Sequence, residues 1–293
     1  MSVKMNSQCF LCQLRKNVET AQKLGDEETA TAFTREMMKL FLSAPEDASL
    51  TWFGPGTTAL FQKIYGLPAD RFQEEKALSN RFVLERMDAI RSRVEGAADP
   101  LYAGLQYAIL GNYIDFSALY GKVSFEKLDE MLETAHTLQP DAETFRRFLG
   151  ELETGKKLLY LTDNAGEIGF DRIFAEQLQR AYPHLQITFC VRGGPVVNDA
   201  TREDAAAVGL PFRVMDNGGG FAGMDPRMIS PEALAALESA DVIFSKGQAN
   251  VESLLGSGYN IYYAFLVKCV RFMELFEKPL FTPMLIRERR KEM

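Results

Sequence analysis

Three groups of polar residues in the second half of the chain have side chains that could bind a metal ion or a phosphate group. These groups are Asp163-Asn164, Asn198-Asp199 and Ser245-Lys246-Gly247-Gln248-Ala249-Asn250. Carboxylate and amide oxygens are the ligands that Mg²⁺ and Mn²⁺ favour, and a lysine beside them can bind or neutralise a phosphate. The first group directly follows the apolar run of residues 158–161, which is typical of a buried strand. The residue types therefore favour metal-assisted chemistry on a small anionic substrate.

The composition of the chain argues against several other classes of function. The 293 residues include two histidines, His136 and His184, which are far apart. This scarcity argues against a histidine-rich zinc site and against a Ser-His-Asp triad. The formal charge of −7 disfavours sequence-independent nucleic-acid binding, which needs a basic surface. Because residues 1–12 lack the apolar core of a signal peptide and no run approaches the roughly 20 apolar residues that span a bilayer, we expect a cytoplasmic protein without a membrane partner.

The four cysteines of the chain give weaker evidence for a function. Cys9 and Cys12 have Cys-x-x-Cys spacing, but a second such pair is missing, and Cys190 and Cys269 are isolated. We interpret Cys9 and Cys12 as a reduced pair at one end of a buried helix, with structural metal binding or redox chemistry as the alternatives. Cys9 and Arg15 also match the Cys-x5-Arg spacing of a cysteine phosphatase. We reject that function because the stretch is helix-like, has no glycine-rich loop and follows no strand.

The first half of the chain has the apolar periodicity of helices. Apolar residues recur at helical spacing over residues 29–42 and 72–94, and proline and glycine separate the segments. Further helices are predicted over residues 57–65, 100–120, 125–138 and 142–152. The helix predicted over residues 100–120 contains Gly111-Asn112-x-x-Asp115. A spacing of three residues would place Asn112 and Asp115 on one face of that helix.

At Gly155 the pattern changes to short apolar strands that alternate with helices. Strands are predicted over residues 157–161, 186–191, 212–215, 241–245 and 261–267. Helices are predicted over residues 168–181, 231–239, 250–255 and 270–276, with a further helix opened by the capping box of Thr201 and Asp204. Such alternation is typical of a parallel sheet covered on both faces. We predict an α/β protein with an N-terminal all-helical subdomain (residues 1–154) and a C-terminal Rossmann-like three-layer α/β/α domain with a mainly parallel sheet (residues 155–293).

This topology would bring the three polar groups together. Ligands of open parallel sheets bind outside the carboxyl ends of the strands, and each group follows or ends a predicted strand. Glycines beside the groups would let backbone N–H groups approach an anion closely: Gly166, Gly193, Gly194 and Gly247. In isolation each group has a structural alternative, because Asp163 and Asn164 could cap a helix, Asp199 could be a turn residue and Lys246 a solvated lysine.

The motifs, in order, are Gly111-Asn112-x-x-Asp115, Asp163-Asn164-Ala165-Gly166-Glu167, Val197-Asn198-Asp199-Ala200-Thr201-x-x-Asp204, Ser245-Lys246-Gly247-Gln248-Ala249-Asn250-x-Glu252 and Lys268-Cys269. In content and order they resemble the DUF89 family of metal-dependent damage-control phosphatases, over nearly the whole chain. The Cys-x-x-Cys pair is similar to the stand-alone prokaryotic branch. The resemblance implies that Asp163, Asn164 and Asp199 bind one divalent metal, Mg²⁺, Mn²⁺, Co²⁺ or Ni²⁺. It also implies that Lys246 contacts phosphate.

The resemblance further implies a substrate site shared between the two halves. The helical subdomain would contribute a lid and the substrate-side residues Asn112 and Asp115. The other residues expected to bind substrate are Glu167, Gly247 and Asn250, with Asn198 and Glu252 in support. The implied reaction is hydrolysis of small phosphorylated metabolites, sugar phosphates in particular.

The attacking group of that reaction is either a metal-activated water or Asp163 itself. Ala165 stands where an Asp-x-Asp signature would have its second acid, and this favours water. Two other functions are compatible with the sequence. A carboxyl methyltransferase that uses S-adenosylmethionine would need a glycine-rich loop after the first strand, where one glycine, Gly166, occurs. A non-catalytic metal- or metabolite-binding protein would keep the pocket without turnover, and the sequence leaves the oligomeric state open.

Overall fold

The structure is a computed structural model that describes residues 3–115 and 124–288. The helices of the first half are α1 (Ser7–Leu24), α2 (Glu27–Ser43), α3 (Gly54–Tyr65), α4 (Gln73–Leu84), α5 (Met87–Glu95), α6 (Pro100–Gly111), α7 (Phe125–Glu133) and α8 (Ala142–Leu152). Short 3₁₀ turns occur at Leu50–Phe53 and Ala135–Thr137. No helix in the described ranges is long and apolar enough to cross a membrane.

The second half alternates strands and helices, as predicted. Its elements are β1 (Lys157–Leu161), α9 (Glu167–Ala181), β2 (Gln186–Val191), α10 (Arg202–Ala207), β3 (Arg213–Asp216), α11 (Pro231–Ser239), β4 (Val242–Lys246), α12 (Gln248–Leu254), β5 (Ile261–Leu266), α13 (Val270–Phe276) and β6 (Pro283–Glu288). The capping box that opens α10 is formed by Thr201 and Asp204, and its prediction is confirmed. The mixed α/β fold class is confirmed as well.

One predicted helix is interrupted, and two others end earlier than expected. The helix predicted over residues 72–94 is broken between α4 and α5, where the Arg86 guanidinium donates to the Phe82 carbonyl and pairs with Asp129. The helix predicted over residues 125–138 ends at Glu133 and continues only as a 3₁₀ turn. The helix predicted over residues 100–120 ends at Gly111, and residues 116–120 lie outside the described ranges.

The end of α6 at Gly111 changes the interpretation of Asn112 and Asp115. Asn112 is the C-cap of α6, and Asp115 lies in non-helical backbone. The prediction that they share one helix face is therefore wrong. The physical reason is tertiary, because the side chain of Asn112 is held by groups on β5, α9 and the loop after β1 instead of continuing a helix.

The sheet has six strands in the order β3-β2-β1-β4-β5-β6. Strands β1 to β5 are parallel, and β6, which the periodicity did not predict, is antiparallel to β5 at the edge. Strands β4 and β5 are buried along their whole length, as expected for parallel strands with helices on both faces. Strands β2 and β3 lie on one side of β1, and β4, β5 and β6 lie on the other. The connections after β1 and after β4 therefore leave the sheet on opposite sides, which creates a crevice at the carboxyl end of β1.

Helix α6 of the first half packs closely on α9 of the sheet layer. A Cβ atom at Gly104 would lie 3.1 Å from Cδ2 of Phe174, and one at Gly111 would lie 2.6 Å from Cδ2 of Phe170. Larger residues at these positions would push the two helices apart. The close approach brings the end of α6, and with it Asn112, to the carboxyl end of β1.

A second link between the halves is a buried ion pair. Lys76 Nζ on α4 lies 2.9 Å from Oδ2 of Asp204 on α10, and both side chains are less than one-tenth exposed. Asn80 donates to the other carboxylate oxygen at 2.8 Å. The pair thus connects the helical half to the loop that carries Asp199.

Replacement of Lys76 by methionine tests the importance of this link. Lys76→Met would leave the Asp204 carboxylate buried with fewer donors, so we expect the free energy of unfolding to fall by about 2–4 kcal/mol. Lys39→Met, which removes the exposed Lys39–Glu36 pair, is the matched control and should cost no more than ~0.5 kcal/mol. Urea denaturation followed by circular dichroism measures both, and equal losses would contradict the structural role of the buried pair.

Candidate active site

The loops after β1 and β2 are joined by backbone hydrogen bonds. Asn164 and Asp199 form an isolated antiparallel bridge, and Ala200 N donates to the Asp163 carbonyl at 2.7 Å. Both loops leave the carboxyl edge of the sheet. The structure therefore brings together Asp163, Asn164 and Asp199, which are 5%, 2% and 7% exposed.

Two amide side chains orient the carboxylates at this edge. Asn112 Nδ2 donates to Asp163 Oδ2 at 2.9 Å and to the Glu167 carboxylate at 3.0 Å. Asn164 Nδ2 makes the same two kinds of bond, at 2.9 Å to Asp163 Oδ2 and 2.8 Å to Glu167 Oε2. The Leu266 N–H donates to Asn112 Oδ1 at 3.1 Å and fixes the direction of that amide. These hydrogen bonds use Oδ2 of Asp163 and Nδ2 of Asn164, and the Oδ1 atoms of the two residues take no part in them.

Three side-chain oxygens remain for a cation. In residues 3–115 and 124–288 no hydrogen bond engages Oδ1 of Asp163, Asn164 or Asp199, although Arg192 Nη2 lies 3.6 Å from Asp163 Oδ1. No cluster of three or more histidine, cysteine or acidic side chains in that part of the chain could hold a metal ion by itself. A site here thus depends on the amide of Asn164 as well as on the two acids, and such oxygen donors suit a hard divalent ion.

The charge of the surrounding side chains also suits a divalent cation. Six buried charged residues are linked to one another by ion pairs or through the amides of Asn112 and Asn164: Asp163, Glu167, Asp171, Asp199, Arg192 and Lys246. Four negative and two positive formal charges leave an excess of −2, which a divalent ion would balance. Burial, followed by the negative charges of Glu167 and Asp199, raises the pKa of Asp163 well above its ordinary value. The residues therefore fit a divalent metal in both donor type and charge.

Lys246 forms ion pairs with two buried carboxylates. Its Nζ donates to Glu167 Oε1 at 2.6 Å, to Asp171 Oδ1 at 2.9 Å and to the Ala108 carbonyl at 2.7 Å. Burial opposes its charge, but Asp171 and Glu167 outweigh burial and raise the pKa of Lys246. Burial raises the pKa of Asp171 to about 7, against the effect of Lys246. A phosphate contact of Lys246, which remains a prediction, would require one of these three bonds to break.

Arg192 is a site residue that the sequence analysis did not single out. Its Nε donates to Asp199 Oδ2 at 2.6 Å, and Nη1 donates to Asn250 Oδ1 at 3.2 Å and to the Gly223 carbonyl at 3.3 Å. Asn250 thus supports Asp199 through Arg192. The signal that could have revealed Arg192 is its position directly after β2, equivalent to the polar residues after β1.

Two glycines are required by close contacts at the site. Gly247 has a φ of 78°, and a Cβ atom there would lie 2.0 Å from Asp163 Oδ2. Gly166 has a φ of 77°, and its Cβ would lie 2.9 Å from Ser79. Asn80 accepts a hydrogen bond from Gly166 N at 2.7 Å. These contacts leave no room for a side chain at either position, and the positive φ angles also favour glycine.

Asp115 and Lys268 form an ion pair at the same edge of the sheet. Lys268 Nζ lies 2.7 Å from Asp115 Oδ2, and the side chains are 2% and 15% exposed. Lys268 follows β5, and its backbone N–H donates to Gln248 Oε1 at 2.5 Å. The positive charge of Lys268 opposes the rise in the pKa of Asp163, so the lysine acts on the candidate metal site.

The two residues expected in support are buried near the site. Asn198 Nδ2 donates to the Ile114 carbonyl at 3.2 Å, whereas its Oδ1 is buried and has no partner in the described part of the chain. The Oδ1 atom of Asn198 can therefore still accept one hydrogen bond.

Glu252 is the second of these residues. Burial, with a further contribution from Asp115, raises the pKa of Glu252 to about 8.

The cysteine pair lies on a surface helix, contrary to the predicted buried one. Cys9 and Cys12 are in the first turns of α1, where Cys9 is half-buried and Cys12 is exposed. The buried residues of α1 are Asn17 and Ala21. All four cysteines of the chain are free thiols in the structure.

A cavity of about 710 Å³ lies beside the candidate metal ligands, between α4, the loop after β2 and α10. Charged and polar residues line it, among them Lys76, Asn80, Arg192 and Glu203. Among the residues that the structure describes, those that line the cavity do not include Asp163, Asn164 or Asp199. The cavity thus adjoins the site without containing the metal ligands.

Comparison with known proteins places the chain in a family. The model of the damage-control phosphatase ARMT1-like domain matches residues 5–281. An uncharacterised protein of Methanocaldococcus jannaschii is 32% identical over 92% of this chain and 90% of its own length. A protein of Archaeoglobus fulgidus named damage-control phosphatase is 31% identical over 91% of this chain and 93% of its own length.

A solved structure supports the same relationship. The crystal structure of a DUF89 family protein from Pyrococcus horikoshii is 26% identical in sequence and aligns with a TM-score of 0.82 over 98% of this chain and 99% of that one. The resemblance inferred from the motifs is thereby confirmed. The chain belongs to the damage-control phosphatase ARMT1-like domain family, the DUF89 proteins.

Proposed function

We propose that this protein is a metal-dependent phosphatase that hydrolyses small phosphorylated metabolites, sugar phosphates in particular. Asp163, Asn164 and Asp199 would hold one divalent ion, Mg²⁺, Mn²⁺, Co²⁺ or Ni²⁺. The observation that carries the proposal is the set of three unengaged oxygens in a buried cluster with an excess charge of −2. Family membership supports the reaction class, since the relative from Archaeoglobus fulgidus is named a damage-control phosphatase.

A divalent ion, when bound, would supply positive charge to a phosphoryl group whose negative charge must be stabilised during transfer. The residues of the chain prepare the place for it. Asn112 and the Nδ2 of Asn164 hold Asp163 by one carboxylate oxygen, which leaves the other oxygen for the ion. Arg192 holds Asp199 in the same way.

The remaining charged residues keep this arrangement in place. Lys246 neutralises Glu167 and Asp171 behind the site, and Glu167 in turn accepts hydrogen bonds from Asn112 and Asn164. Loss of the lysine charge would leave two buried carboxylates without their counterion. We therefore assign Lys246 to orientation of the ligands, in addition to the phosphate contact predicted from the resemblance.

Release of inorganic phosphate tests the proposed function. We expect metal-stimulated release from a panel of sugar phosphates with Mg²⁺, Mn²⁺, Co²⁺ or Ni²⁺, and a loss of about 100-fold or more in Asp163→Ala. Asp88→Ala, which removes a fully exposed aspartate of α5, is the matched control and should keep the rate.

Absence of metal-stimulated release, or an unchanged rate in Asp163→Ala, would refute the proposal. Metal binding without turnover would favour a non-catalytic binding protein. Methyl transfer from S-adenosylmethionine to a carboxylate would favour the methyltransferase alternative.

The neutral ligand Asn164 provides a second prediction. Asn164→Asp would add a carboxylate to the cluster and remove the amide that donates to Asp163 and Glu167. Metal affinity should therefore be kept or increased, while turnover should fall by about 10-fold or more, because the more negative site repels a phosphate dianion. Calorimetric titration of the metal and the kcat for phosphate release measure the two effects.

Asn6→Asp is the matched control for that substitution. Asn6 caps α1 through a side-chain hydrogen bond from Cys9 N, and aspartate is an equally good N-cap residue. The control should change neither metal affinity nor turnover. Unimpaired turnover in Asn164→Asp would count against Asn164 as a ligand.

Gly247→Ala tests the close contact between Asp163 and Gly247, which directly follows β4. The added Cβ would overlap the Asp163 carboxylate and must displace it, so we expect metal affinity and turnover each to fall by about 10–100-fold. Gly150→Ala on α8, where a Cβ meets nothing within 4 Å, is the control and should preserve both. Wild-type metal affinity in Gly247→Ala would show that Asp163 is not a ligand in the observed position.

A further inference from the structure

The thiols of Cys9 and Cys12 take no part in the proposed phosphatase reaction. Both residues lie near the start of α1, which begins at Ser7 after the N-cap residue Asn6. Cys9 is half-buried, Cys12 is exposed, and both are free thiols. An exposed thiol with a second thiol close by is the arrangement in which cysteines are readily and reversibly oxidised.

The helix sets the distance between the two cysteines. Three residues of an α-helix rise by about 4.5 Å and complete most of one turn, so the Cα atoms of Cys9 and Cys12 lie about 5 Å apart. A disulfide bond needs a Cα separation of about 4.4–6.8 Å. The Cβ atoms of such a pair are about 5–6 Å apart, which is roughly 1–2 Å more than in a disulfide. A small adjustment of the first turns of α1 therefore allows the bond.

The start of α1 can make this adjustment without disturbing the core. The buried residues of the helix are Asn17 and Ala21, which lie at least one turn after Cys12. The first N–H groups of a helix have no helical partner, and here the Asn6 side chain accepts from Cys9 N at 3.0 Å. Because the first turns contribute no buried residue, a change in their geometry costs little packing energy.

The other two cysteines are poorly suited to the same chemistry. Cys190 is fully buried in β2, and burial raises the pKa of its thiol to about 12. Cys269 is the N-cap of α13 and accepts a hydrogen bond from Gln248 Nε2 at 3.7 Å. Burial raises the pKa of Cys269 to about 11. Both thiols are therefore protonated at neutral pH, whereas the thiolate is the form that attacks a disulfide.

Metal binding is the other use of Cys-x-x-Cys spacing, and the structure argues against it. A structural zinc site takes four ligands, usually cysteine and histidine. Burial raises the pKa of Cys9, and the nearby negative charge of Glu252 contributes to the rise. Even so, among residues 3–115 and 124–288 no three histidine, cysteine or acidic side chains are grouped closely enough to hold a metal ion. Glu252 therefore does not complete a metal site with the two cysteines.

We propose that Cys9 and Cys12 form a reversible dithiol–disulfide couple on the surface of α1, with a small disulfide such as glutathione disulfide as the oxidant. The Cys12 thiolate attacks one sulfur of the oxidant, a protein–glutathione disulfide forms, and one glutathione thiolate leaves. The Cys9 thiol then loses its proton and attacks the Cys12 sulfur, which releases the second glutathione. The protein loses two electrons and two protons, and the two glutathione molecules gain them.

Incubation of the reduced full-length protein with glutathione disulfide tests the couple. We expect the number of thiols that can be titrated after unfolding to fall from four to two. Mass spectrometry should show the loss of two hydrogens, and peptide mapping should place the bond between Cys9 and Cys12. Excess dithiothreitol should restore all four thiols.

Serine variants assign the role of each thiol. Cys9→Ser should accumulate one glutathione adduct, on Cys12, because the second attacking thiol is missing. Cys12→Ser should be oxidised at least about 10-fold more slowly than the wild type, since Cys9 is less accessible and its pKa is raised. Cys269→Ser is the matched control, because serine is a favoured N-cap residue for α13, and it should form the bond as the wild type does.

A thiol count that stays at four, or a bond that requires Cys269, would overturn the proposal. Wild-type protein that stops at the glutathione adduct would also overturn it, because Cys9 would then be unable to reach Cys12. Stoichiometric binding of Zn²⁺ to the reduced protein, lost in both Cys9→Ser and Cys12→Ser, would replace the couple by a metal site. Circular dichroism controls for folding, and a bond that forms only in unfolded protein would refute the couple. None of these measurements uses phosphate release, so the phosphatase proposal stands or fails separately.

Discussion

Burial of four carboxylates at the carboxyl end of β1 is the constraint on which the rest of the site depends. Buried charges are stable only when they are paired and hydrogen-bonded. Lys246 and Arg192 supply the pairing, and Asn112 and Asn164 supply the hydrogen bonds. The pairing is incomplete by two charges, and this imbalance makes the place suited to a divalent cation.

The same constraint explains why the helical half cannot be separated from the site. Asn112 reaches the carboxylates because α6 lies close to α9, and α6 also supplies the Ala108 carbonyl that accepts from Lys246. The ion pair of Lys76 and Asp204 adds a second attachment to the loop that carries Asp199. The two halves distinguished by periodicity are therefore joined through one set of buried polar contacts.

The sequence predicted those features that depend on local patterns. Continuous apolar runs and capping signals gave β1, β2, α8, α11 and α13 with the observed bounds, and the rule for parallel sheets predicted that the polar groups after the strands converge. Strand β6 was missed because this partly buried antiparallel edge strand has only a short apolar run, Met284 to Ile286. The end of α6 was missed because the side-chain bonds of Asn112 to distant elements, absent from any local pattern, replace the next helical turn.

The two lysines at neighbouring strand ends show what residue type alone cannot predict. Lys246 and Lys268 both belong to polar segments that end or follow strands of the sheet, and both face carboxylates. Lys246 lies inside the strand layer and balances two fully buried acids, so its charge organises the site. Lys268 lies outside the strand end, and its partner Asp115, at 2.7 Å, is partly exposed. The position of each lysine relative to the strand end therefore decides how far its carboxylate partners are removed from water.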